Sequence, residues 1–163
     1  MTNAPTQDLV FTHTFDAPVA KVWRAWTESD ALRQWWGPDN FECPTAVMDV
    51  REGGVSLVSM ASPKLGFPEQ YSTWRYLRVV PLERIEYVHN LADKDGNTIS
   101  PASVGMPSDF PENQIHIVTF KDLGDGRTRL TVTEKGWAPG QMAEMSKMGM
   151  EQCLEKLAGA LTQ

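Results

Sequence analysis

Cysteine is scarce in this chain, with two among 163 residues. Cys43 falls in a loop-like stretch and Cys153 on an apolar helix stripe, so the pair forms no disulfide framework, and two thiols alone cannot build a tetrahedral zinc site. Both are read as reduced. Basic residues are few as well: 15 Lys and Arg stand against 21 Asp and Glu, a formal charge of −6 with no basic run. That balance argues against a nucleic acid or an anionic membrane surface as partner. No apolar run approaches the ~20 residues of a membrane span, and Met1–Gln7 holds neither a cationic nor an apolar leader segment. The expectation is a cytoplasmic, single-domain protein over residues 8–161 behind a frayed tail at residues 1–7. Its length suffices to bury roughly 70% of the unfolded chain's surface. Several chemistries lack their signatures. There is no Gly-x-Ser-x-Gly elbow and no phosphate-binding loop, and the three histidines, His13, His89 and His116, show no local metal-ligand spacing. No metal and no cofactor are expected.

What is present is patterned. Over Pro139–Leu161, Met142, Met145, Gly149, Cys153, Leu154, Leu157 and Leu161 recur at three- and four-residue steps, which predicts a long helix with one apolar stripe. The chain ahead of it alternates with a period of two. Leu9, Phe11, His13 and Phe15 suit a first strand. Asp16-Ala17-Pro18 then opens a helix with Pro18 at the first helical position, burying Val19, Val22, Trp23 and Trp26. Ser29 is placed to cap a second short helix with Leu32 and Trp35 on its apolar side, stopped by Gly37-Pro38. Strands are predicted near 46–52 and 55–61 around Glu52-Gly53-Gly54, at 71–80 and 83–91 around Pro81, and at 114–122 and 127–135 around Gly124-Asp125-Gly126. The sheet reads as seven-stranded and antiparallel, solvated on one side and covered by the long helix on the other. Residues 92–113, rich in Pro and Gly, make an unusually long connection, read either as a lid or as a tolerated insertion.

Strand, two short helices, six-strand meander and long C-terminal helix is the helix-grip order of an α+β fold. The residues add a family. Phe15-Asp16-Ala17-Pro18, Val22-Trp23-Arg24-Ala25-Trp26-Thr27 and Trp35-Trp36-Gly37-Pro38 resemble the opening of the Hsp90-ATPase-activator-homologue branch of the START-like, Bet v 1-like (SRPBCC) superfamily. Arg51-Glu52-Gly53-Gly54, the stretch from Val79 to Tyr87 and that from Gly126 to Thr131 are similar to three of its later turns and hairpins. Two positions depart from the common pattern. Gly149-Met150 stands where many relatives have Gly-Trp, and Trp74 where a Gly is common. The resemblance implies a curved sheet gripping the final helix, with a cavity between them. The eukaryotic activator also has a separate Hsp90-binding domain for which this sequence has no room, so a chaperone-associated role ranks last among the readings.

The candidate site follows from which side chains share the covered face. Met142, Met145, Met148 and Met150 are adaptable thioethers that serve either as core or as ligand wall. Trp36 either anchors its helix or lines a pocket mouth, Trp74 borders the cavity that the resemblance implies, and Tyr76 and Tyr87 each pair an apolar body with a polar handle that serves either to orient a guest or to tie strands together. His89 shares a face with Ile85 and Tyr87, His116 with Val118 and Phe120, and His13 with Phe11 and Phe15. Each is either a satisfied core histidine or an acid–base group. Glu134 continues the Leu130 and Val132 face, so it is either turned inward in need of a partner or a strand end that meets water. The leading expectation is a binding site for a small hydrophobic or aromatic molecule. The alternative is a cyclase-, dehydratase- or hydrolase-like enzyme acting on a polyketide or aromatic compound through His89, His116 or Glu134. The exposed faces of such a sheet also offer a surface for a homodimer.

Overall fold

The computed structural model describes residues 5–162. Its elements run β1 Gln7–Phe15, α1 Val19–Thr27, α2 Ser29–Leu32, β2 Ala46–Val47, β3 Val55–Ser62, β4 Phe67–Val80, β5 Arg84–Ala92, β6 Gln114–Asp122, β7 Thr128–Trp137 and α3 Gln141–Leu161. The seven strands form one curved antiparallel sheet in the order β1-β7-β6-β5-β4-β3-β2. Alternation decides which face is covered. Phe11 and Phe15 on β1, Ile85 and Tyr87 on β5, Val118 and Phe120 on β6, and Leu130 and Val132 on β7 are all buried, with Trp26, Leu32, Trp35, Leu154 and Leu157 from the helices packed into the same core. Among the described residues no helix is long and apolar enough to cross a membrane.

Several boundaries differ from the sequence expectation, each for a local reason. The strand expected over 46–52 is paired only at Ala46–Val47. Beyond it the backbone donors go to serine hydroxyls, Met48 N–H to Ser29 Oγ at 3.2 Å and Asp49 N–H to Ser56 Oγ at 3.0 Å. Ser29 therefore is not a cap: Glu28 occupies the N-cap of α2, and Ser29 ties the helix to the sheet edge instead. Pro18 sits at the N-cap of α1 rather than at its first helical position, with ψ of 153°. Of the expected tail, residues 1–4 lie outside the described residues, and Gln7 already pairs with Trp137 in β1. β4 begins at Phe67 rather than 71, because Gly66, at φ +78°, closes the turn after Pro63–Leu65 and returns the chain at once to β3. The Glu52-Gly53-Gly54 turn holds as expected. At Gly54 a Cβ would lie 2.3 Å from the Asp49 carbonyl oxygen, so the turn admits no side chain there.

The largest correction concerns α3. Its buried side chains are Ala143, Met150, Cys153, Leu154, Leu157 and Leu161, whereas Met145 and Met148 are 57% and 62% exposed. At about 100° per residue, Met145 lies about 140° around the helix from Met150, on the solvent side. Met142 is half-buried at the first turn. The far end is clamped where Lys21 Nζ of α1 donates to the Leu161 carbonyl, a cation placed at the negative end of the helix dipole.

Candidate functional site

The antiparallel register lines up one row of side chains across the covered face. Tyr76 on β4 is opposite Tyr87 on β5, Tyr87 is opposite His116 on β6, and His116 is opposite Glu134 on β7. A second row, one pleat on, places Trp74 opposite His89 and His89 opposite Gln114. Neighbouring rows stack their rings. Trp74 lies on Tyr87 with centroids 4.6 Å apart and planes 15° from parallel, and His89 lies on His116 at 5.0 Å and 7°. Trp36 meets Trp74 edge-on at 5.0 Å, so it belongs to this buried cluster rather than to a mouth. Met150 is buried in the same core.

His116 is fully engaged. Gln114 Nε2 donates to the Lys135 carbonyl at 2.9 Å, which turns its Oε1 towards His116 Nε2 at 2.8 Å. That nitrogen must carry the proton, leaving Nδ1 to accept from the Tyr87 hydroxyl at 3.2 Å. Burial, with His89 beside it, holds His116 neutral by pushing its pKa well below the usual histidine value. This is the satisfied core histidine of the two sequence readings. His89 differs: burial lowers its pKa to about 4, yet its Nδ1 has no partner. His13 stacks on Phe15 at 4.4 Å on β1, opposite Leu130, and takes no part in these two rows.

Glu134 resolves towards the interior. It is 4% exposed, and its Oε1 accepts from Trp137 Nε1 at 3.1 Å and from Ser146 Oγ of α3 at 3.2 Å. Burial raises its pKa to about 7, against the lowering effect of those two donors. A cleft of about 200 Å³ is lined by Trp137 together with Pro107 and Asp109 of the long loop, Gly140 and Met142. Phe110 of that loop meets Trp137 edge-on at 5.7 Å. Met142 thus lines this cleft, while Met145 is exposed on the solvent side. Tyr76 closes the other end of the row, its hydroxyl 2.7 Å from Ser56 Oγ, and burial raises its pKa. Sequence reasoning did not select Gln114, Trp137, Ser146 or Trp26. For Gln114 a signal existed, since it is two residues before His116 on one strand and so shares its face. Among the described residues no group of acidic, histidine and cysteine side chains could hold a metal ion.

The family model described as activator of Hsp90 ATPase homolog 1-like protein matches residues 16–162. Solved structures share the architecture. A crystal structure of a Chromobacterium violaceum protein is 24% identical with a TM-score of 0.76, over 96% of this chain and 97% of that one. A solution structure of a Staphylococcus epidermidis protein is 24% identical with a TM-score of 0.74, over 99% of this chain and 93% of that one. The AHSA1 protein of Silicibacter pomeroyi is 17% identical with a TM-score of 0.74, over 96% and 98% respectively. At such identities the likeness speaks to the fold. No curated protein matches the sequence.

Proposed function

This chain belongs to the activator of Hsp90 ATPase homolog 1-like family of the SRPBCC superfamily, and on that premise we propose that it binds a small, largely hydrophobic or aromatic molecule between α3 and the covered face of the sheet. The observation that carries the reading is the polar row of Tyr76, Tyr87, His116 and Glu134, buried where a purely structural core would be apolar. Ligand sites combine apolar and aromatic walls with a few placed polar groups, and this face offers both. Met142 and the loop residues Pro107 and Asp109 line the cleft beside Trp137, whose indole donates to Glu134, and mark the entrance in this reading. Binding to the native state alone raises stability. A panel of small aromatic and aliphatic compounds is therefore expected to produce selective rises in melting midpoint, on the order of several degrees at saturating concentration. A panel that shifts nothing, with no uptake of a hydrophobic dye, would end the proposal.

A second reading rests on Glu134. A buried carboxyl that titrates close to neutrality is matched to general acid–base work on a bound aromatic or polyketide compound. It calls for turnover with an inflection near pH 7 that falls by about a hundredfold or more in Glu134→Gln. Turnover indifferent to that substitution removes it. His116 has no role here, because both of its ring nitrogens are already bonded.

A further inference from the structure

Three buried ring nitrogens, Trp26 Nε1, Trp74 Nε1 and His89 Nδ1, have no hydrogen-bond partner among the described residues. They belong to one neighbourhood. Trp74 and His89 are direct partners across β4 and β5, and Trp26 reaches the same spot from α1 with its ring 6.1 Å from that of Trp74. Trp26 and Trp74 are each 1% exposed, so water does not serve them from the surface. Native folds pair nearly all buried polar groups, because an unpaired one forfeits its whole hydration. Their chemistry specifies what is missing. An indole nitrogen can only donate, so its partner must be an acceptor. Burial holds His89 neutral, so it brings no charge to the spot.

Charge narrows the class further. The buried polar side chains are serines, threonines, Gln114, His116 and Glu134, with no Lys or Arg among those described. A carboxylate would enter unpaired, at a high desolvation cost. An ammonium ion finds no carboxylate near Trp74 either. Glu134 stands on β7, three strands away at roughly 14 Å, and its Oε1 already accepts from Trp137 and Ser146. Resting on the ligand-binding reading above, we infer that Trp74, with His89 beside it, is the polar anchor of the site, and that its ligand is a neutral aromatic compound carrying a carbonyl or ether oxygen. The stacked pairs Trp74–Tyr87 and His89–His116, with Trp36 edge-on, supply the ring-shaped walls.

The test compares four probes of one skeleton by calorimetry and thermal shift: acetonaphthone, isopropylnaphthalene, naphthoate and a naphthylmethylammonium ion. Acetonaphthone is expected to bind about tenfold or more tightly than the other three. In Trp74→Phe, which keeps an aromatic ring and loses the N–H, that preference over the hydrocarbon should collapse to about twofold or less. The wild-type ranking stands by itself if the variant does not fold. Equal binding of the ketone and the hydrocarbon, or tightest binding of either ion, overturns the anchor while leaving hydrophobic binding in place. Failure of all four probes to bind overturns both readings.

Discussion

Replacing Trp26 with alanine should cost about 3–5 kcal/mol of unfolding free energy and lower the melting midpoint on the order of 10 °C. Trp26 is the hub of four indoles, with Trp35 at 4.9 Å, Trp36 at 6.0 Å and Trp74 at 6.1 Å, so it joins α1 and the segment after α2 to the sheet. Its nitrogen bonds to nothing among the described residues. Truncation therefore breaks no hydrogen bond, and the whole cost is lost transfer energy plus the cavity left behind. The companion variant Trp26→Phe separates the two contributions, since it keeps a ring, discards the unpaired N–H and should cost less than half as much. For a domain whose net stability is about 5–15 kcal/mol, the alanine variant removes a large share. Equilibrium denaturation of both variants measures this. A cost below about 1 kcal/mol for Trp26→Ala would mean that the indole cluster is not the support of the helices.

Some of this arrangement was legible from residue order because the determinants are local. The β6–β7 hairpin is bounded almost as expected, since strict alternation meets a glycine-rich turn in which Gly124 and Gly126 both take positive φ. Alternation also told which face His89, His116 and Glu134 share. It could not tell their register. Tyr87 meets His116 only through the closure of a connection more than twenty residues long, from Ala92 to Gln114, and no local pattern sets that pairing. The shortened β2 was hidden for a related reason. Ser29 and Ser56 take its backbone donors from 19 and 7 residues away, and hydroxyl side chains carry no signal of such long-range bonds. In α3 the error was one of phase. Methionine counts as apolar wherever it stands, so Met145 joined a stripe whose packed members Cys153, Leu154, Leu157 and Leu161 face the core, while Met145 itself is 57% exposed on the solvent side. The inward turn of Glu134 depended on β7 continuing to Trp137, two residues further than alternation alone carried it.

That inward carboxyl makes stability depend on pH with a sign opposite to the usual carboxylate case. The native state keeps the Glu134 proton up to about pH 7, while the unfolded chain releases it near the ordinary 4.5. Between those values the native state binds more protons, so Glu134's contribution to stability falls as pH rises through the window. Above it the accumulated cost is about 3 kcal/mol. Glu134→Gln cannot ionise, and its amide oxygen can still accept from Trp137 and Ser146. The variant is therefore expected to gain on the wild type by about 3 kcal/mol at around pH 8, with the gain shrinking to nothing of its pH-dependent part near pH 4.5. His89 and His116 impose their own dependence: both are neutral in the fold, so stability is lost as pH falls below the unfolded value of 6.5. That contribution is common to both proteins and cancels in the difference. Denaturant titrations of the pair at half-unit steps across the window read the difference directly. A difference that stays flat would mean that Trp137 and Ser146 hold the carboxylate ionised against burial, and it would withdraw Glu134 from acid–base chemistry near neutrality.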